Sequence, residues 1–142
     1  MRQAIYNYVI ADSTLMGILV GGLYDAHTVN HISRTTTPDA FVQGELRACA
    51  LLKMGDLSPT GPYTHSARQT VSFYLYDLLG YSSIVLAREQ LYELLHDIKL
   101  IPTSPTAGAW HIRWVGDVTQ QRDDPLAAAL EISRFECLVL RR

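Results

Sequence analysis

The sequence predicts an α+β chain, an antiparallel sheet of about four main strands with helices packed on one face and long hairpin loops. Two stretches repeat apolar residues at helical spacing, one near the start of the chain and one between Ile84 and Ile98. Others alternate apolar and polar residues with period two, as half-buried strands do. Their order is helix, strand pair, helix, strand pair, which suits helices segregated to one face of an antiparallel sheet.

Taken in order, Ala4, Ile5, Tyr8 and Val9 form the stripe of a first helix. Asp12 or Ser13 caps a short second one through Leu15, Met16, Ile18 and Leu19. Gly21-Gly22 stops it, since glycine accepts the left-handed conformation that closes a helix. Leu23-Tyr24-Asp25 follows as a short extended piece. Ala26 to Pro38 is polar and reads as a mobile loop. Phe41-Val42 opens an extended region, and past Gly44 the residues Leu46, Ala48, Ala50 and Leu52 alternate against Arg47, Cys49, Leu51 and Lys53 as a half-buried strand.

Gly55 to His65 contains two Gly and two Pro and reads as a hairpin tip. A strand from about Arg68 to Asp77 places Val71, Phe73 and Leu75 on one face. Ser82 or Ser83 caps the main helix, whose stripe is Ile84, Ala87, Leu91, Leu94, Leu95 and Ile98, and Pro102 and Pro105 break it. Trp110, Ile112 and Trp114 share one parity of a strand ending near Val118. Thr119 to Pro125 is a polar connection. In the last strand, Ala127 to Leu140, apolar parity slips between Ile132 and Phe135, which predicts a bulge near Ser133-Arg134.

The 142 residues fit a single domain, 1–142, large enough to bury roughly two-thirds of its unfolded surface. With 48% hydrophobic and 18% charged residues the chain is not a disordered tail. A formal net charge of -2 gives no overall electrostatic footprint for nucleic acid or acidic membranes. The N-terminus lacks the pattern of a secretory signal, and no apolar run is long enough to span a bilayer, so synthesis in the cytoplasm and no membrane partner are expected. Cys49 and Cys137 read as buried free thiols.

No phosphate-binding loop, dinucleotide fingerprint or nucleophile elbow is present. His27 and His31 are four apart but lie in the polar stretch without an intervening Glu, and read as solvated loop histidines. Asp117, Asp123 and Asp124, with Arg122, fall in one connection; they lack calcium-loop spacing and read either as a solvated tip or as a contact or pore-facing loop in an assembly. Trp110 and Trp114 suit core packing, with one of them a candidate for a subunit contact because Trp is enriched at binding hot spots. Tyr74 and Tyr76 lie opposite Phe73, so both faces of this sheet are expected to be covered, one of them by another chain. Tyr63 and His65 complete the candidate interface or lumen residues.

The order of landmarks resembles the bacteriophage tail-terminator, or tail-completion, family of long-tailed phages. The residues that carry the likeness are Arg2-Gln3-Ala4-Ile5-Tyr6 with Leu19-Val20-Gly21-Gly22-Leu23-Tyr24-Asp25, then Pro38 before Phe41-Val42, then Val71 to Tyr76 leading into Leu86 to Leu95, and finally Ile112-Arg113-Trp114 through Arg122-Asp123 to Arg134-Phe135-Glu136. Ala26 to Thr37 and Gly55 to His65 depart from it. The resemblance implies a non-enzymatic virion protein without a cofactor, whose copies close into a homohexameric ring on the end of the tail tube. Implied partners are the chain itself, the tail tube protein, the head-completion or connector protein and the tape-measure protein, with phage DNA passing through the channel. A head-completion stopper or adaptor of the neck, and a small ligand-binding or enzymatic α+β domain, are the competing readings.

Overall fold

The computed structural model describes residues 2–59, 66–100 and 109–140. Helices α1 (Arg2–Ile10) and α2 (Ser13–Ile18) form as the stripes require, with Ile5, Val9 and Leu15 buried. Asp12 caps α2, its carboxylate accepting the Leu15 N–H at 2.9 Å. The turn after α2 is shaped by two different demands on glycine. Gly22 has φ +99°, the left-handed conformation expected there. Gly21 is instead required by crowding: its N–H donates to the Ala48 carbonyl at 2.7 Å, and a Cβ would lie 2.9 Å from that oxygen. This contact launches β1 (Leu23–Asp25), which pairs in parallel with β4 (Cys49–Pro59).

The sheet has six strands in the order β1-β4-β5-β8-β7-β6. Four are long, β4, β5 (Ser66–Asp77), β7 (Ala109–Asp123) and β8 (Ala128–Leu140), so the sheet is wider than the expected four main strands by two short ones. Short β1 and β6 (Ile98–Leu100) add the edges, and β1 makes the sheet mixed, not purely antiparallel. A separate two-residue hairpin joins β2 (Phe41–Val42) to β3 (Glu45–Leu46).

The main core lies between the sheet and α1, α2 and α4 (Ser82–Leu95). Phe73 and Phe135 meet edge to face at 6.0 Å at its centre. Helix α4 buries Ile84, Ala87, Leu91 and Leu95, but its cap is Tyr81 and no side chain bonds to its N-terminal amides, contrary to the expected serine cap. It ends at Leu95, well before the prolines, because Asp97 turns to φ 61° and donates its N–H to the Ile112 carbonyl. Ile98 therefore belongs to β6 and not to the helix.

The opposite face of the sheet is also covered at one end, and by the chain itself. The stretch expected to be a loop contains α3 (Ala26–Val29), capped by Asp25, and a 3-10 turn (Pro38–Ala40). Between them the Thr37 hydroxyl donates to the Ser33 carbonyl and accepts the Ser33 N–H. Ile32, Ala40 and Leu46 thereby seal Cys49, Leu51 and Tyr76 into a second core. Residues Cys49 to Leu52 are buried on both faces, so this part of β4 is not half-buried, and no second chain is needed to cover Tyr76.

Three other expectations are corrected. Strand β4 runs on through Gly55 to Pro59, and β7 runs through the polar residues Thr119–Asp123, leaving a tight turn before β8. The bulges near the chain end are in β7, at Ala109/His111, Trp114/Gly116 and Val118/Gln121, while β8 pairs with β5 without a shift. The parity slip in β8 has another cause: its odd residues from Ala129 to Cys137 face the main core, including Glu131 and Ser133, while Leu130 on the even side packs against the second core.

Cys49 and Cys137 are fully buried and free, on opposite sides of the sheet. Burial pushes both thiols up to about 12. The folded protein keeps protons that the unfolded chain releases above pH 9, so stability holds below pH 9 and falls between 9 and 12, by roughly 1 kcal/mol per pH unit for each thiol. Denaturant titrations across that range measure it. Gly21→Ala is expected to cost about 1–3 kcal/mol through overpacking, whereas Gly17→Ala, with open space around a helical position, stabilises by up to about 1 kcal/mol. Chemical denaturation of the two variants tests the contrast.

Candidate functional site

The helix side of the molecule carries a continuous furrow. One part, of about 600 Å³, is walled by α4 residues Arg88, Glu89, Tyr92 and Glu93, with Trp114 and Asp117 from β7. The adjoining part, of about 710 Å³, runs between Val20, Val42, Leu79 and Leu86. Ile18 and Leu86 line both, so the two form one surface. Leu79 is 90% exposed and Leu86 55%, an unusual apolar display for residues set close together.

Beneath the furrow lies a buried polar knot. Glu131 projects from β8 into the main core with its side chain only 3% exposed. Its Oε2 accepts the Gln120 N–H at 3.1 Å, while Oε1 has no hydrogen-bond partner among the described residues and sits 3.4 Å from Arg88 Nη1. The same guanidinium nitrogen is 3.7 Å from Asp117 Oδ2. Asp117 Oδ1 accepts from Ser133 Oγ at 2.8 Å and from Trp114 Nε1 at 2.9 Å. One guanidinium thus serves two carboxylates, which leaves the knot net negative.

Trp114 closes the end of the furrow. Its ring meets Tyr92 edge-on at 5.7 Å, and Tyr92 stacks on His96 at 4.7 Å. The Trp114 backbone N–H donates to His96 Nδ1 at 3.1 Å. Ile112 and Trp114 pair in unbroken register with Cys137 and Phe135, yet at 39% exposure Trp114 stands beside α4 and outside the core that takes Ile112, so shared strand parity did not give the two residues shared burial.

The sequence-derived candidates do not gather in one place. Asp117 belongs to the knot, whereas Asp123 and Asp124 lie six and seven residues further along the chain, at the β7–β8 turn. There Asp123 accepts the Leu126 N–H at 2.9 Å, and Asp124 sits 3.7 Å from Arg122 with both side chains largely exposed. Tyr63, His65 and the side chain of Trp110 lie outside the described residues. His27 and His31 are both exposed, and no group of three or more metal-ligating side chains occurs among the described residues. Among those residues, no helix is long and apolar enough to cross a membrane. Sequence reasoning missed Glu131, Arg88 and Tyr92. The available signal was a carboxylate on the parity of Phe135 and Cys137, a position where an unpaired charge is too costly to keep.

The opposite, outer face of the sheet is open beyond the second core. Lys53, Arg68, Arg113 and Arg134 are all exposed there. Glu136 Oε1 lies 3.2 Å from Arg113 Nη2 and 3.8 Å from Arg68 Nε.

No protein-family model matches the chain, and no curated protein matches its sequence. Among solved structures, a chain of the virion of a native gene transfer agent particle superposes with a TM-score of 0.70, covering 99% of this chain and 94% of its own, at 14% identity. The fold is shared with a virion chain. At that identity the likeness shows a shared fold over nearly the whole length and nothing finer.

Arg88→Ala strands the buried Glu131 carboxylate and is expected to cost about 3–5 kcal/mol. Arg122→Ala, which breaks only an exposed pair, leaves stability unchanged. Thermal and denaturant unfolding of both variants provides the check.

Proposed function

We propose that this chain is a structural protein of a phage-like virion, a single tail-terminator-like domain whose copies close into a ring at the head-proximal end of the tail tube. The ring ends tube polymerisation and joins the tail to the head connector, and the genome passes through its channel. The observation that carries this reading is the fold shared over 99% of the chain with a virion component. The ordered landmarks of the sequence add to it independently of the fold. So does the surface: an apolar and aromatic furrow on one side and an open sheet face on the other are two different patches, and contact between unlike patches generates rings when the rotation closes. The homohexameric state, the tube, connector and tape-measure contacts and the neck position belong to this proposal.

Electron microscopy of particles assembled without this chain tests it. The expected result is filled heads beside detached, overlong tail tubes. Heads that leak DNA would instead assign a stopper role. Normal-length tails joined to full heads would overturn the reading altogether.

A further inference from the structure

The two open faces of the subunit carry opposite charge, although the chain as a whole is nearly neutral. The part of the helix-side furrow beside Trp114 is lined by Glu89, Glu93 and Asp117 against Arg88, which is already engaged by Asp117 and the buried Glu131, and the adjoining part adds Glu45 and Asp77 against Arg47. The outer sheet face presents Lys53, Arg68, Arg113 and Arg134 against Glu136. Strand register places these cations close together: Lys53 and Arg134 both lie opposite Ser72, and Arg113 lies opposite Glu136, two residues beyond Arg134 in β8. The faces belong to opposite layers of the fold, so one subunit cannot satisfy its own excess. A second copy can.

We infer that the occupant of the acidic furrow is the basic sheet face of the next copy of this chain. The furrow suits an arginine or lysine side chain in two ways. Its wall offers the rings of Tyr92 and Trp114, whose faces attract a cation, and the net-negative knot beneath supplies a counter-charge in a poorly solvated setting. Apolar residues flank both faces, Leu86 on the helix side and Leu138 on the sheet side, so the charged contact has apolar surface to bury beside it. Joining unlike faces makes the contact head-to-tail. This inference deepens the ring reading above and rests on it for its biological setting, although the physical pairing stands on the two faces alone.

Charge reversal tests it on the purified full-length chain. Glu89→Arg with Glu93→Arg reverses the furrow, and Lys53→Glu with Arg134→Glu reverses the sheet face. All four residues are exposed and none makes a salt bridge among the described residues, so folding, followed by circular dichroism, is retained. In sedimentation velocity over a concentration series at low salt, the wild-type chain is expected to self-associate. Each reversal should weaken association by at least about tenfold, added salt should weaken the wild-type contact, and the chain carrying all four changes should recover it. A wild-type chain that stays monomeric, reversals without effect, or failure of the fourfold variant to recover would overturn the inference. Particle assembly with the same variants separates the two levels. Recovered association in solution alongside particles that join normally without the chain would retain this contact and remove the neck role.

Discussion

Strands β5 and β8 pair from Ser66↔Leu140 to Asp77↔Ala129 without a shift, and the remaining structure depends on that register. Side chains alternate across a strand, so a slip of one residue would move every side chain to the other face. Here the register brings Phe73 and Phe135 together beneath the helices and sends Tyr74 and Tyr76 to the far side, where the second core collects the latter. It also commits Glu131 to the interior. A carboxylate in that position is tolerable only with a cation overhead, and α4 supplies Arg88. The helix is therefore fixed to the sheet by charge as well as by its apolar stripe.

The same knot links stability to the surface. Asp117 holds the Trp114 indole and the Ser133 hydroxyl while facing Arg88, so the shape of the furrow's end is set from below. At the other end of the helix layer, Asp12 both caps α2 and accepts from Gln90 of α4, tying the two helices together by a polar contact. The furrow wall is thus assembled from rigid elements, which favours a preorganised docking surface over one that forms on contact.

Much of the architecture was legible because periodicity reports burial directly. Helix α4 has one buried face and one exposed face, and its stripe reads cleanly; in β5 the apolar parity of Val71, Phe73 and Leu75 reads the main core, although Tyr76 on the other face is buried as well. Elements with unusual cover did not. Cys49 to Leu52 are buried on both faces, so alternation there carried no information. Thr119 to Asp123 continue β7 with polar residues because that end is mostly open to solvent on both sides, and a solvated strand looks like a loop. The segment from Ala26 to Ala40 is polar in composition yet contributes Ile32, Thr37 and Ala40 to the interior, anchored by hydroxyl bonds that no period reveals. The candidate surface was the least legible part. It joins residues from α4 to residues of β7 and β8, and the aspartates that are near neighbours in sequence were separated by a strand that ran further than expected.

The sheet's margins have a consequence for how the molecule behaves in a crowd. Strand β1 pairs only with Ala50 to Leu52 of β4, and among the described residues no other strand pairs with that flank, an edge of the kind that recruits foreign strands. The chain blunts this stretch with Lys53, an irregularity between Met54 and Leu57, exposed Asp56 and terminal Pro59. Straightening it by deleting one residue of the irregularity would leave a flatter template for lateral growth into fibrils. Accumulation at high local concentration is thereby compatible with contacts made through side chains, and unwelcome union through backbones is discouraged.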